Sequence, residues 1–155
     1  MSHRRTTHIK AISYGPKKEA VRKGKCAQTI RVEAKEPVMV GDKIIFHSWS
    51  KKPYRSKWGW RLRVVVTEAI YIMLHPDCIL SRKKLEGCES TAFISNGNGD
   101  WWEYRWADLA YLAELDGIDP PTGEELERLL KSMHGDFEGG VPGQIIRWGF
   151  EDGSA

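Results

Sequence analysis

The sequence predicts an α+β domain in which a mostly antiparallel sheet curls into a small barrel flanked by short helices. Helical patterns stand near the start and in the second half of the chain, strand patterns fill the middle, and a final strand closes it. No βαβ unit repeats, which argues against a parallel sheet. The chain has 155 residues, enough for one domain. We expect that domain at residues 16–150, between a basic tail at 1–15 and a short tail at 151–155.

Three helices are expected. The first covers Lys17–Lys23, where Pro16 suits the first turn and Gly24 suits the C-terminal cap. The second covers Ala107–Leu115.

The third helix begins at a capping box formed by Thr122 and Glu125. Its apolar residues recur at i, i+3, i+4 and i+7, so one face is predicted to be buried. These residues are Leu126, Leu129, Leu130 and Met133.

Strands are expected wherever β-branched and aromatic residues cluster between turn signals. The predicted strands are Gln28–Val32, Lys43–Ser48, Arg61–Leu74 (one bent strand or two), Ser90–Ile94 and Gln144–Phe150. The aromatic run Trp101–Trp106 is either a further strand or the approach to a helix. Glu68 falls on an apolar strand face, where it marks a bend or is buried with a partner; the bend is favoured. We expect Trp106 and Trp148 in the core or lining a cleft.

Positive charge is concentrated in the first part of the chain. Residues 1–63 hold 17 Lys and Arg against 4 Asp and Glu, residues 64–155 hold 7 against 17, and the net charge is +3. In the basic part, cations alternate with aromatic side chains. We therefore expect a surface that faces a polyanion; the alternative is a dipolar protein whose halves attract each other.

Composition also narrows the function classes. No apolar run approaches the ~20 residues of a membrane span and no apolar leader is seen, so we expect a cytoplasmic protein with no membrane partner. Cys26, Cys78 and Cys88 are odd in number and lack C-x-x-C spacing, which argues against a disulfide framework and a zinc site. We predict no cofactor and no metal.

The stretch with the clearest functional pattern is Gly24–Arg31. Alternate residues of a strand share a face, so Thr29 and Arg31 are expected to point the same way. A hydroxyl beside a guanidinium suits a phosphate, a carboxylate or a base edge, and Lys25 adds a charge in the preceding turn. The alternative is a strand with an ordinary polar face.

Further features follow Gly24–Arg31 along the chain: the Val40–Lys43 turn, the acidic-Gly end of Ala107–Ile118, and the closing strand Ile145–Trp148. Together they resemble the ASCH family, over roughly Lys18–Phe150. The resemblance implies a PUA-like β-barrel that binds RNA. Some members are hydrolases, either amidohydrolases that deacylate acetylcytidine or ribonucleases.

The resemblance also implies catalytic residues. A lysine, a threonine and a glutamate act together in the amidohydrolases; the threonine corresponds to Thr29 and the acidic residue to Asp116. Cys26 occupies the lysine position, so the adjacent Lys25 is the predicted lysine. Cys26 is an alternative nucleophile, because a neighbouring lysine lowers the pKa of a thiol. The alternatives are a structural thiol at Cys26 and a simple helix end at Asp116.

The segment Trp49–Trp60 combines four cations with four aromatic rings, a proline and a glycine, which is typical of an exposed loop or a wide hairpin tip. Cations there could contact phosphates while the rings stack on unpaired bases. The predicted ligand contacts are Trp49, Lys51, Lys52, Tyr54, Arg55, Lys57, Trp58 and Trp60. The alternative is that some of these tryptophans belong to the core.

We therefore predict a basic cleft, formed by Lys25, Thr29 and Arg31, that binds RNA, another single-stranded nucleic acid or a nucleoside-like small molecule. The alternative is a hydrolase at the same cleft, either a nucleoside amidohydrolase or a ribonuclease. A protein-interaction module that uses the acidic half is a third hypothesis.

Overall fold

The structure, a computed structural model, describes residues 6–12, 15–32, 37–49, 58–97 and 99–150. In chain order the elements are β1 (Thr7–Ala11), α1 (Gly15–Arg22), β2 (Gln28–Val32), β3 (Lys43–Trp49), β4 (Trp58–Leu74), β5 (Cys78–Ser81), β6 (Ala92–Asn96), β7 (Gly99–Arg105), a 3-10 turn (Trp106–Asp108), α2 (Ala110–Leu115), α3 (Gly123–His134) and β8 (Val141–Phe150).

The eight strands form one sheet that is antiparallel except for the β1–β3 pair. Its main path runs β1-β3-β4-β5-β7-β6, and β8 pairs with both β4 and β2. The predicted α+β class with a mostly antiparallel sheet is confirmed. Among the described residues β1 and β2 do not pair with each other, so the sheet is open, and the predicted PUA-like barrel is not confirmed.

Residues 7–11 form strand β1, so the prediction of a basic tail is wrong for these residues. Thr7–Ala11 pair with Lys43–His47 of β3, and the following Ile12 is buried in the core. The strand was missed because it lies at the sheet edge with half-exposed side chains, so it lacks an apolar face.

The long strand β4 connects two apolar clusters. The first lies beneath α1 and includes Val21, Phe46 and Trp148; the second lies between the sheet and helices α2 and α3 and includes Ile72 and Trp106. The β4–β8 register shifts between Val66 and Glu68, so the predicted bend at Glu68 is confirmed. Both tryptophans expected in the core, Trp106 and Trp148, are buried.

Helices α1 and α3 form where their sequence signals predicted them. Gly24 follows α1 with a φ of 76°, a left-handed conformation that favours glycine. Thr122 Oγ1 accepts a hydrogen bond from the Glu125 amide at 3.1 Å, as a capping box requires. Met133, predicted to be buried, is instead 60% exposed, because the last turn of α3 borders a cavity rather than the core.

Each helix in the described part of the chain is too short or too polar to cross a membrane.

Candidate functional site

Three side chains from three separate elements meet beneath α1. Lys17, in the first turn of α1, donates from Nζ to Thr29 Oγ1 of β2 at 2.8 Å. The same Nζ donates to Oδ2 of Asp116, the residue that ends α2, at 2.9 Å. All three side chains are buried, and Lys17 and Asp116 form an ion pair. A buried lysine bonded to a hydroxyl and a carboxylate is an arrangement that catalytic sites use.

The turn after α2 brings Asp116 to this position. Gly117 follows with a φ of 73°, and a Cβ at this residue would lie 3.3 Å from Cys26 Sγ and 3.4 Å from the Lys17 Cα. A side chain at residue 117 would therefore strain the turn and press on the backbone that carries Lys17. The acidic-Gly pair noted in the sequence is thus the feature that lets α2 approach α1 closely.

The other carboxylate oxygen of Asp116 is reached through a hydrogen-bonded chain that starts near the surface. Arg147 donates from Nη1 to Glu68 Oε1 at 2.7 Å and from Nε to Gln28 Oε1 at 3.0 Å. Gln28 Nε2 in turn donates to Asp116 Oδ1 at 3.3 Å. Both oxygens of the buried carboxylate therefore have donors, which orients it towards Lys17.

Burial raises the pKa of Asp116 above its usual range. The ion pair with Lys17, the hydrogen bonds from Lys17 and Gln28, and the charge of Arg31 all oppose this rise without cancelling it. A carboxyl group of raised pKa that is hydrogen-bonded to Lys17 Nζ is placed to accept a proton from it.

The three side chains line a cavity of about 140 Å³. Its polar wall consists of Lys17, Thr29, Arg31 and Asp116. The opposite wall is apolar and comes from Ile118 and the face of α3 formed by Leu126, Leu129 and Leu130. The i, i+3, i+4 pattern that predicted a buried helix face thus provides the apolar wall of this cavity. A ligand would have polar groups on one side and apolar groups on the other.

Arg31 lies at the same cavity. One of its terminal nitrogens, Nη2, donates to the Ala11 carbonyl at 2.9 Å and bridges the gap between β2 and β1. Its Nε is buried and has no hydrogen-bond partner. Burial lowers the pKa of this guanidinium, and the charge of Asp116 opposes that change.

The structure brings together Thr29, Arg31 and Asp116, as the sequence analysis expected, but not Lys25. The Lys25 side chain is exposed and lines a separate groove with Arg147 and Tyr111. Lys17 takes the place expected for it. The available signal was that Lys17 precedes the buried Val21 by four residues, which puts a cation on the apolar face of α1.

Cys26 is a structural residue rather than the alternative nucleophile. Its thiol is buried and donates to the Gln28 and Leu115 carbonyls at 3.3 Å each. Burial raises its pKa, which disfavours the reactive thiolate.

Five of the eight ligand contacts predicted in the segment Trp49–Trp60 fall outside the described residues. This applies to Lys51, Lys52, Tyr54, Arg55 and Lys57. Trp49, Trp58 and Trp60 belong to strands β3 and β4, and the structure describes their backbone but not their side chains. Where the chain is described, no three His, Cys, Asp or Glu side chains converge as a metal site requires.

No protein-family model, curated protein sequence or solved structure matches this chain.

Proposed function

We propose that this protein is a small-molecule amidohydrolase whose active site is the cavity lined by Lys17, Thr29 and Asp116. The observation that carries the proposal is the pair of buried contacts from Lys17 Nζ, at 2.8 Å to the Thr29 hydroxyl and 2.9 Å to Asp116. A nucleophile bonded to a base that a third group orients is the general pattern of covalent catalysis. The resemblance to the ASCH amidohydrolases implies the same three kinds of residue, here with aspartate in place of glutamate and with Lys17 in place of the predicted Lys25. We extend the proposal to the fold: the sheet is an incomplete PUA-like barrel that stays open between β1 and β2.

In the proposed reaction Thr29 Oγ attacks the acyl carbon of an amide, and Lys17 Nζ takes up the hydroxyl proton as it passes one of its own protons to the Asp116 carboxylate. The tetrahedral intermediate then loses the amine as the C–N bond breaks, and Lys17 returns the proton to the leaving nitrogen. Water then attacks the acyl carbon as Lys17 takes its proton. The C–Oγ bond breaks, the acyl group leaves as a carboxylic acid, and Lys17 returns the proton to Thr29 Oγ. A base positioned in this way typically contributes about 10²–10⁴-fold in rate.

The size of the cavity favours a small substrate over a polynucleotide. Its volume is about 140 Å³. An apolar cavity of about 150 Å³ holds one benzene molecule. One six-membered ring, such as the pyrimidine of acetylcytidine, therefore matches the volume of this partly open cavity. The ribonuclease alternative is not favoured, because a nucleotide chain does not fit this volume.

The test compares two lysines. Acetylcytidine is incubated with the purified protein, and the release of cytidine is followed by chromatography. We expect Lys17→Met and Thr29→Ala each to lower kcat/KM by roughly 10²–10⁴-fold, because each removes one member of the nucleophile–base pair. Lys25→Met, which changes an exposed lysine on another groove, should retain wild-type activity.

Circular dichroism of each variant separates loss of chemistry from loss of folding. Thr29→Ser is the conservative control and should keep measurable turnover, since it retains the hydroxyl. No turnover of acetylcytidine or of other small N-acetyl amides by folded wild-type protein contradicts the proposal. A loss caused by Lys25→Met rather than Lys17→Met contradicts the assignment of the base.

RNA binding is a second candidate function, favoured by one outer face of the sheet. Arg61 and Arg63 of β4 are both exposed. Lys43 of the neighbouring strand β3 is also exposed, and it lies two residues from Ile45, which pairs with Arg63. Lys43 is therefore on the same face of the sheet as the two arginines. In the chain the two arginines directly follow the cationic, aromatic segment Trp49–Trp60, and Lys43 precedes it. Such a surface suits the phosphates of an unpaired strand.

For this candidate, the affinity for a single-stranded oligonucleotide should fall steeply as salt rises. The double variant Arg61→Gln/Arg63→Gln should reduce the slope of log K against log salt by about 1.4, the value for two lost phosphate contacts. Arg105→Gln, an exposed arginine on β7, is the matched control and should leave the slope unchanged. An affinity that does not depend on salt excludes this function.

A further inference from the structure

Arg31 is half-buried at the cavity and has one buried donor, Nε, that is unused. Its Nη2 donates to the Ala11 carbonyl at 2.9 Å, whereas its buried Nε has no hydrogen-bond partner. Leaving a buried donor unpaired costs free energy, more so when the group is charged. A guanidinium at the wall of a ligand-sized cavity can recover that cost when a ligand accepts from it.

The charges that line the cavity do not balance. Lys17 and Asp116 neutralise each other as an ion pair at 2.9 Å. Arg31 also lines the cavity, and it forms no ion pair with any carboxylate among the described residues. Within the described part of the chain, one positive charge at the cavity therefore has no ion-pair partner.

Two neighbouring groups respond to this excess charge. Burial lowers the pKa of Lys10, and the charge of Arg31 lowers it further. His134, which lines the cavity, likewise has a pKa lowered by partial burial and then by Arg31. Positive potential thus extends from Arg31 over the side of the cavity that faces β1 and the end of α3.

We propose that the cavity is built for an anionic ligand: a ring-sized organic carboxylate whose carboxylate group accepts hydrogen bonds from Arg31. The apolar wall on α3 contacts the ring, and the carboxylate supplies the missing negative charge. The substrate class of the proposed hydrolase is then an N-acyl compound that carries a carboxylate, in preference to a neutral nucleoside. This last step rests on the proposed function, whereas the binding of the carboxylate does not.

The strand spacing sets the distance between the two ends of such a substrate. Thr29 and Arg31 are alternate residues of β2, so their backbones lie about 7 Å apart. An acyl group at Thr29 and a carboxylate at Arg31 are therefore expected at opposite sides of one six-membered ring.

The experiment measures binding without chemistry. Benzoate, benzamide and phenyl phosphate are titrated into the full chain, and dissociation constants are taken from NMR shifts of the Thr29 and Arg31 amides. Benzoate should bind roughly tenfold or more tightly than benzamide, its neutral analogue of similar shape. Phenyl phosphate should bind more weakly than benzoate, because the cavity is small; tighter binding of phenyl phosphate would overturn the choice of carboxylate.

Variants identify the group responsible. Arg31→Gln should weaken the binding of benzoate roughly 10- to 100-fold and leave the binding of benzamide unchanged. Unchanged benzamide binding also shows that the cavity is intact. Arg31→Lys, which keeps the charge but not the forked donors, should weaken benzoate binding less than Arg31→Gln does. Arg105→Gln is the matched control and should change neither dissociation constant, because this arginine is exposed on β7 and does not line the cavity.

Equal affinity for benzoate and benzamide, or benzoate binding that survives Arg31→Gln, overturns the inference. Its failure is distinguishable from failure of the proposed function. Benzoate binding without amide hydrolysis leaves the inference standing and removes the hydrolase. Hydrolysis of acetylcytidine without a preference for benzoate over benzamide supports the hydrolase and overturns the inference.

Discussion

At the level of single residues, Gln28 links the surface of the molecule to Asp116. It is buried, accepts from Arg147 Nε at 3.0 Å, and donates to Asp116 and to the Leu112 carbonyl at 3.3 Å each. Gln28→Leu should lower the free energy of unfolding by about 1–3 kcal/mol, because buried partners lose their bonds. It should also raise the pKa of Asp116 further, since the Gln28 hydrogen bond is one of the contacts that lower it.

Urea unfolding measures the stability change, and NMR titration of the Asp116 carboxyl carbon measures the change in pKa. Gln144→Leu is the matched control. Gln144 also exchanges two hydrogen bonds with the chain, both with the backbone of Val38. Gln144→Leu should lower the free energy of unfolding by a similar amount and leave the pKa of Asp116 unchanged. If Gln28→Leu also leaves that titration unchanged, Gln28 does not tune the carboxyl.

The site residues differ in how far sequence could predict them. Thr29 and Arg31 follow from strand alternation, and Asp116 from its place before a glycine. Lys17 could not be paired with Asp116 in this way, because 99 residues separate them and their contact depends on how α1 packs over β2. Lys25 was preferred because it is close to Thr29 in the chain, yet the turn after α1 directs it to the surface.

At the level of secondary-structure elements, the signals that worked were local. The capping box of α3 and the glycine after α1 act within one or two helical turns, so the chain itself carries the information. The periodicity of α3 also predicted its apolar face, but it did not predict that this face lines a cavity. Periodicity shows that a face is apolar, and only packing decides whether it contacts a core or a cavity.

Strand β1, by contrast, is an element that local sequence signals did not predict. Its side chains alternate between exposed and half-exposed, and Ile9 is 60% exposed, so burial leaves no pattern in the sequence. The strand exists because parallel pairing with β3 satisfies its backbone groups, an interaction between distant parts of the chain. The Arg31 contact to Ala11 depends on this strand, so the boundary of the cavity depends on it as well.

For the molecule as a whole, the long strand β4 determines how the two apolar clusters are joined. Val64 and Val66 belong to the first cluster and Ile70 and Ile72 to the second, with the register shift between them. A bulge increases strand twist and lets one strand serve two packing surfaces. The sequence carried this information as one charged residue, Glu68, within an apolar alternation.

Glu68 lies at this junction, and its charge should make the stability of the whole molecule depend on pH. Its carboxylate pairs with Lys83 and with Arg147, and these contacts hold its pKa below the usual range despite partial burial. A group whose pKa is lower in the folded state stabilises the fold above its unfolded-state pKa, and this contribution is lost as pH falls through the folded-state value.

At pH 7, Glu68→Gln should therefore lower the free energy of unfolding by about 1 kcal/mol. Below roughly pH 4 the difference from wild type should shrink towards zero. Urea denaturation at both pH values measures this, and Glu89→Gln, at an exposed position, should stay within ~0.5 kcal/mol of wild type at each. A difference between Glu68→Gln and wild type that is the same at both pH values means that side-chain packing, not the ion pairs, stabilises the junction.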